Sequence, residues 1–244
     1  MSRADNRIAS RQDALSRARQ HSPFLREALA ARGDIEEIFL AEGASRAAKH
    51  ALDAAPDAPI ERQLRQRRLG LALAVALGDL ARELPLEEVT ALLSDFADGA
   101  IDQAVAAAIA ERVPDAEPVG FTVIAMGKLG SHELNYSSDV DLLLLFDPAT
   151  LPRRERDDAG EAAVRIGRRL IELLQKRTED GYVQRVDLRL RPSPEVTPIG
   201  TADYPTPAAR PAYSVLDSRH FRARFGAGLP DWQTQLRLAV EDLR

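Results

Sequence analysis

The chain contains 244 residues, of which 45% are hydrophobic and 29% are charged, and its formal net charge is −5. This composition suits one or two globular domains with a buried core, and the mild acidity argues against a general nucleic-acid binder. The absence of cysteine excludes disulfides, zinc thiolates and thiol catalysis.

The N-terminal segment, residues 1–17, has no apolar core, so the sequence does not predict a signal peptide. No apolar run approaches the length of a membrane span. We therefore expect a cytoplasmic protein with neither a membrane nor a nucleic acid among its partners.

Residues 1–114 are predicted to form a helical N-terminal domain. Ser22 and Pro23 are typical of a helix start, because serine can cap the first turn and proline is tolerated at the first helical position. A long helix is predicted over residues 59–84, with its apolar second half buried between other helices. The arginines of its first half, within residues 62–68, are expected to form a solvated face.

A short linker with two prolines and two acids, residues 114–118, precedes a second predicted domain over residues 119–199. Here strand-like and helix-like periodicities alternate, which predicts an α/β arrangement. Its expected elements are a strand (119–126), a glycine turn (127–131), a strand (140–146), a helix (155–176) and a strand (182–190). Residues 200–244 show little periodicity before a short helix predicted over 232–243.

Two carboxylates, Asp139 and Asp141, stand one residue apart where an apolar strand begins. Because strand side chains alternate between faces, both should point to the same side. Two such acids repel each other unless a cation neutralises them, and oxygen ligands alone favour Mg²⁺ or Mn²⁺ over zinc. The pair therefore predicts a divalent-metal site.

Asp187, on a later predicted strand, supplies the third carboxylate that a two-metal nucleotidyl-transfer site requires. Arg189 and Arg191 share its face and could neutralise phosphate oxygens, for which the planar guanidinium is well suited. The turn could cradle phosphates through its backbone N–H groups, with a serine capping nearby. The expected nucleotide- and phosphate-binding residues are Gly127, Lys128, Gly130, Ser131, Ser138, Arg189 and Arg191.

Neither of two common nucleotide-binding motifs is present. The G-x-x-x-x-G-K-[ST] order of the Walker loop is missing, and so is the G-x-G-x-x-G dinucleotide fingerprint. A lone D-x-D is weak, but a strand, a glycine turn, Ser-Ser-Asp-x-Asp and a later strand aspartate form a specific combination.

The segments MGKLG, ELNYSSDVDL and RVDLRLRP resemble the glutamine-synthetase adenylyltransferase family. SPFL at residues 22–25 and the stretch 84–101 are similar to that family as well, so the resemblance runs from about residue 20 to about residue 199. The segments ELNYSSD and RVDLRLRP resemble the N-terminal, adenylyl-removing half of these bifunctional enzymes more than the adenylylating half.

The resemblance implies an α+β fold: a helical N-terminal region followed by a polymerase-beta-type nucleotidyltransferase core, a small mixed sheet with flanking helices, at residues 119–199. It also implies phosphorolytic removal of AMP from an adenylylated tyrosine of glutamine synthetase, while the other half of such enzymes adds AMP from ATP. Mg²⁺ or Mn²⁺ is the implied cofactor, with Asp139, Asp141 and Asp187 at the family's metal-binding positions. The implied partners are glutamine synthetase, a PII-type signal protein, ATP or ADP, and orthophosphate.

The sequence departs from the family pattern in two places. Ser131 stands where the family usually has a second glycine, and the family-like sequence stops near Gly200. We expect residues 200–244 to be an atypical tail that arose through a reading-frame change or truncation.

The residues by themselves are also compatible with two other functions. A D-x-D glycosyltransferase also holds its nucleotide through a metal, although it explains neither the glycine turn nor Asp187. A catalytically inactive fragment that binds a nucleotide or a partner is the non-enzymatic alternative, and the unusual tail favours it.

Overall fold

The structure, a computed structural model, describes residues 3–188, all of which belong to one compact unit, Met1–Arg191. The predicted tail, residues 200–244, lies outside the described residues. The described chain folds into α1 (Arg3–His21), α2 (Pro23–Ala31), α3 (Gly33–Glu42), α4 (Ala44–Leu52), α5 (Ile60–Leu80), α6 (Leu86–Ala110), β1 (Phe121–Met126), α7 (Gly127–Gly130), β2 (Val140–Phe146), α8 (Ala159–Gln175) and β3 (Val186–Asp187).

Helices α1 to α6 pack around a core of leucine, alanine and a few aromatic side chains. As predicted, Ser22 caps α2, accepting a hydrogen bond from the Leu25 backbone N–H at 3.2 Å, with Pro23 in the first turn. Small residues bring α4 and α5 together: a Cβ added at Gly78 would lie 2.5 Å from the Cβ of Ala44. This close approach allows the second half of α5 to be buried, as its all-round apolar pattern predicted.

Helix α5 ends at Leu80, four residues before the predicted end. Arg82 adopts the left-handed conformation with φ of 58°, and the Glu83 N–H donates to the Gly78 carbonyl at 2.8 Å, which closes the helix. The prediction of a solvated arginine face was wrong in part. Arg65 is buried and donates to the Lys176 carbonyl, so this face packs against the end of the α/β region.

The sheet is mixed and has the order β1-β2-β3 in the described range. Strands β1 and β2 pair antiparallel, and β2 pairs parallel with β3. Helix α8 covers one face, where Gly167 lies near Leu144 and Phe121. Asp158 caps α8 through the Glu161 N–H at 3.0 Å. Val164 is exposed, so it lies on the face of the helix that points away from the core.

The third strand begins at Val186, four residues later than predicted. Thr178 and Gly181 form an isolated bridge, and the N–H groups of Val183 and Gln184 both donate to the Leu174 carbonyl at 3.0 Å. Because these backbone groups are bonded to the end of α8, they cannot join a ladder with β2.

The α+β fold class is confirmed: helices precede a small mixed sheet flanked by further helices. The helices and the sheet fall within one compact unit, so the domain boundary at residues 114–118 stays a prediction. Within residues 3–188, no helix has the length and apolar character needed to cross a membrane.

Candidate functional site

Asp141 and Asp187 occupy adjacent positions in the sheet. In the antiparallel ladder Asp141 is paired with Met126, and in the parallel ladder it is paired with Asp187. Side chains at paired positions point to the same face, and neighbouring strands lie about 4.8 Å apart. The sheet thus brings together the second and third carboxylates that the sequence predicted.

The face that carries Asp141 is open. Along β1, Ile124 and Met126 are exposed, while the intervening side chains point towards α8 and are more buried. Leu145 of β2 is exposed as well. Among residues 3–188, the side of β1 and β2 opposite α8 is therefore accessible, and Asp141 lies on this side, half-buried.

Asp139, the first acid of the predicted pair, lies directly before β2. Its Oδ1 accepts a hydrogen bond from Nε of Arg185 at 2.5 Å, and Arg185 also donates through Nη2 to the Ser137 carbonyl. The Arg185 carbonyl in turn accepts from the Val140 N–H at 2.8 Å. Arg185, directly before β3, therefore fixes the position of the residues directly before β2, and its guanidinium neutralises the Asp139 carboxylate.

The glycine turn is a single helical turn, α7, which follows β1 directly. Gly127 has φ of 58°, in the left-handed region that glycine enters without steric cost. A Cβ added there would lie 2.5 Å from Oδ2 of Asp141, and one added at Gly130 would lie 2.5 Å from the Ala125 carbonyl oxygen. Both glycines therefore allow the turn to fold closely against the strands and the Asp141 carboxylate.

Three further residues of the predicted set are tied to this turn and to the loop after it. Ser131 Oγ donates to the Gly127 carbonyl at 2.8 Å, and Lys128 Nζ lies 3.3 Å from Ser138 Oγ. Ser138 Oγ donates to Asn135 Oδ1 at 2.7 Å. Lys128 and Ser138 are therefore neighbours on the exposed side of the turn, and Ser138 also stabilises the loop through Asn135. Its predicted phosphate contact stays a prediction.

The loop from residue 131 to residue 139, which we call the site loop, is attached to the helical region. Leu134 is buried at 1% exposure, and its N–H donates to Oγ of Ser94 on α6 at 3.1 Å. His132 Nε2 lies 2.9 Å from Asp95 Oδ1 on the same helix. These contacts fix the middle of the loop on α6.

Tyr136 connects the site loop to α5. Its carbonyl accepts from Nη2 of Arg68 at 2.9 Å, and its hydroxyl lies 3.3 Å from Oδ2 of Asp79. Burial and the neighbouring Asp79 carboxylate raise the pKa of Tyr136 above its ordinary value, so the hydroxyl stays protonated at neutral pH and can donate to Asp79.

The donor chemistry of Asp139, Asp141 and Asp187 suits a hard divalent cation, because all three are carboxylates. The side-chain geometry, however, does not close around one: across residues 3–188, no three acidic or histidine side chains converge closely enough to hold a metal. Asp139 is directed towards Arg185 instead. Arg189 and Arg191 lie outside the described residues, so their predicted phosphate contacts stay predictions.

Sequence reasoning missed the residues that arrange this site. Arg185 was not among the predicted site residues, yet it contacts Asp139. Asn135 caps the site loop through Oδ1, which accepts from both Ser137 N and Ser138 Oγ. Asparagine two residues before a serine is a recognisable turn signal and could have indicated this role. The anchoring of the loop by Ser94 depends on tertiary packing and has no local signal.

A family model for glutamate-ammonia ligase adenylyltransferase matches residues 6–206 of the chain. A second family model, the RmlD substrate binding domain, matches residues 177–244 and overlaps the first. The first match includes every residue of the site described above.

Curated relatives agree with the first match. The bifunctional glutamine synthetase adenylyltransferase/adenylyl-removing enzyme of Rhizobium meliloti (strain 1021) is 39% identical over 228 residues, covering 84% of this chain and 23% of the relative. Proteins of the same name from Xanthobacter autotrophicus and Caulobacter vibrioides are 46% and 39% identical, covering 59% and 75% of this chain but 16% and 20% of their own lengths. The chain thus spans less than a quarter of the length of these relatives. Since the family model matches most of it, the chain belongs to the glutamate-ammonia ligase adenylyltransferase family.

Proposed function

We propose that this chain carries a metal-dependent nucleotidyltransferase site that acts on glutamine synthetase, and that its reaction is the phosphorolytic removal of AMP from an adenylylated tyrosine. The observation that supports this most is the pairing of Asp141 with Asp187 on an open sheet face. Family membership supports the reaction class, because the relatives are named for both adenylyl transfer and adenylyl removal.

The proposed reaction is a displacement at phosphorus. An oxygen of orthophosphate attacks the phosphorus of adenylyl-tyrosine while the bond from that phosphorus to the tyrosine oxygen breaks. The products are ADP and a tyrosine side chain that takes up a proton. Transfer of AMP from ATP to tyrosine requires the same arrangement of oxygens around phosphorus, so the carboxylates suit either reaction.

Asp139, Asp141 and Asp187 would hold Mg²⁺ or Mn²⁺, which when bound neutralises the phosphate oxygens and aligns the attacking and leaving groups. Asp141 and Asp187 are already adjacent in the sheet, whereas Asp139 has to exchange Arg185 for the cation. We propose that Arg185 preserves the position of the site loop until that exchange.

The remaining predicted residues would contact the substrates. Lys128 lies at the exposed turn beside Asp141, where its ammonium could bind a phosphate oxygen after leaving Ser138. Gly127 and Gly130 give the turn its close approach to the strands, and Arg189 and Arg191 would neutralise phosphate charge beyond Asp187. Glutamine synthetase and a PII-type signal protein are the proposed protein partners.

The proposal is tested by incubating the 244-residue chain with adenylylated glutamine synthetase, orthophosphate and Mg²⁺ or Mn²⁺, and measuring ADP release. ADP that appears only when phosphate and metal are both present is the expected result. Asp141→Asn should abolish it, because the amide removes charge while keeping the shape of the side chain.

A direct measurement of Mn²⁺ binding, compared with ADP release, distinguishes an active enzyme from an inactive binding fragment. Metal binding without ADP release would support the fragment, which binds nucleotide or partner but turns nothing over. Turnover that survives both Asp139→Asn and Asp141→Asn would contradict the assignment of the metal ligands.

A further inference from the structure

A cavity of about 770 Å³ lies beside the site loop, and its lining includes none of the three predicted metal-binding aspartates. It is lined by α2, by α5, by Tyr136 and Ser137 of the site loop, and by the turn 177–182. Its volume falls within the range of small-molecule binding pockets, about 300–1,000 Å³. Neither the proposed nucleotidyl transfer nor the packing of the helices explains a space of this size.

The wall formed by the helices is mainly apolar. Leu25 and Ala28 of α2 face Leu69, Ala72 and Ala76 of α5 across it. Ligand pockets typically combine such a wall with a few polar groups that fix the orientation of the ligand. The polar groups therefore determine which ligand this cavity would select.

Arg68 is the polar group that lacks a full set of partners. Its Nη2 donates to the Tyr136 carbonyl, but its Nε is buried and has no hydrogen-bond acceptor among residues 3–188. In the same range, no carboxylate forms an ion pair with this guanidinium. Burial lowers the pKa of Arg68 below its ordinary value, in keeping with a charge that no neighbouring acid offsets. Arg68 as a whole is half-buried, but leaving its charge uncompensated around the buried Nε is costly, so an anion in the cavity would relieve the cost.

The other charged groups along the lining already have partners or face solvent. Arg65 donates to the carbonyls of Lys176 and Glu61, and Asp180 accepts from Gln66 and lies 3.5 Å from Arg62. Glu27, Arg177 and Glu179 are exposed. Asp79 faces the Tyr136 hydroxyl. Arg68 is thus the group that would receive a ligand's charge.

We propose that this cavity binds a small organic anion, whose carboxylate or phosphate group pairs with Arg68 and whose apolar body packs on α2 and α5. The binding does not depend on the proposed catalytic function. Arg68 also donates to the carbonyl of Tyr136, three residues before Asp139. The same guanidinium would therefore contact both the ligand and the site loop.

The test uses three probes with the same six-carbon chain: hexanoate, hexyl phosphate and 1-hexanol, each titrated into the full 244-residue chain by calorimetry. At least one of the two anions is expected to bind at least about tenfold more tightly than the neutral alcohol, in line with a hydrogen bond to a charged group. Preference for hexanoate or for hexyl phosphate would identify the anionic group. Equal affinity of all three probes, or no binding, would overturn the proposal.

Two variants place the binding at the cavity. Arg68→Met should weaken the anion by at least about tenfold, whereas Arg67→Met, on the same helix but outside the cavity lining, should leave the affinity unchanged. Ala76→Leu keeps Arg68 and fills the space, so it should also abolish binding. It decides the question if Arg68→Met fails to fold, as checked by circular dichroism. Anion binding that persists in well-folded Ala76→Leu would contradict the cavity as the site.

Discussion

Nε of Arg185 lies 2.5 Å from Oδ1 of Asp139, so a residue two positions before Asp187 neutralises a carboxylate two positions before Asp141. Both side chains are about half exposed, at 53% and 49%. Ion pairs in such solvent-exposed positions contribute at most about 1 kcal/mol. The Arg185–Asp139 ion pair can therefore hold the site loop in place. It is weak enough to be displaced by a divalent cation, whose charge of +2 interacts more strongly with the aspartates than a single guanidinium does.

Replacing Arg185 by methionine is expected to tighten Mn²⁺ binding by up to about fivefold, the factor that corresponds to an exposed ion pair of about 1 kcal/mol. The physical reason is that the cation no longer has to displace the guanidinium from Asp139. Electron paramagnetic resonance of free Mn²⁺ measures the affinity directly. Arg46→Met is the matched control, because Arg46 of α4 is 54% exposed in an ion pair with Glu42 of α3. Weaker Mn²⁺ binding by the Arg185 variant would mean that the arginine organises the site rather than competing with the metal.

Gly127→Ala should weaken Mn²⁺ binding, because the new Cβ would overlap the Asp141 carboxylate, 2.5 Å from its Oδ2. It should also cost about 1–2 kcal/mol of folding stability, since φ at this position is 58° and L-residues are strained there. Mn²⁺ titration and urea unfolding measure the two effects separately. Gly33→Ala is the control, because a Cβ there meets nothing within 4 Å. Unchanged metal affinity in the Gly127 variant would show that Asp141 does not bind the cation in this geometry.

Leu134→Ala is expected to destabilise the protein by about 2–5 kcal/mol, the usual cost of truncating a fully buried leucine. Leu134 belongs to the site loop but is only 1% exposed. Leu86→Ala, at a position that is 71% exposed, should change stability by less than about 0.5 kcal/mol. Urea unfolding followed by circular dichroism compares them. Equal small effects in both variants would mean that the loop is not anchored in the helical core.

The sequence predicted the parts of the site that depend on local pattern. A continuous apolar run, residues 142–146, predicted β2, and the spacing of Asp139 and Asp141 placed both acids at its start. The sequence also assigned Asp187 to a neighbouring strand, but only the structure gives the register that pairs it with Asp141.

What sequence reasoning could not supply depends on contacts between distant segments. The start of β3 is set by hydrogen bonds from Val183 and Gln184 to the end of α8, which no local pattern encodes. Likewise, the alternating charges before β3 gave no reason to choose Asp139 over Asp187 as the partner of Arg185. Arg68 belonged to a run of arginines on a helix, and only the folded chain distinguishes the one that is directed towards Tyr136.

Asp34 gives the helical region a pH-dependent stability that can be measured. The buried Arg32 donates to both carboxylate oxygens of Asp34, at 2.9 and 2.8 Å, and His50 lies 3.1 Å away. Chiefly through these Arg32 hydrogen bonds, the pKa of Asp34 lies below its ordinary value in the folded protein. The unfolded chain therefore binds more protons near the unfolded pKa of about 3.9, so this contribution to stability is present above that pH and is lost as the pH falls through the folded value.

Asp34→Asn should consequently lose stability at neutral pH, where Arg32 is left without its carboxylate, and should show a shallower decline in stability below about pH 4 than the parent chain. Urea unfolding from about pH 7 to about pH 3 measures both effects. Asp13→Asn is the control, because it removes an exposed pair with Arg17 and should change stability by less than about 1 kcal/mol. Parallel pH profiles for the parent and the Asp34 variant would contradict this origin of the acid sensitivity. They would place it instead on other acids whose pKa values are lowered by arginine, such as Asp157 beside Arg112.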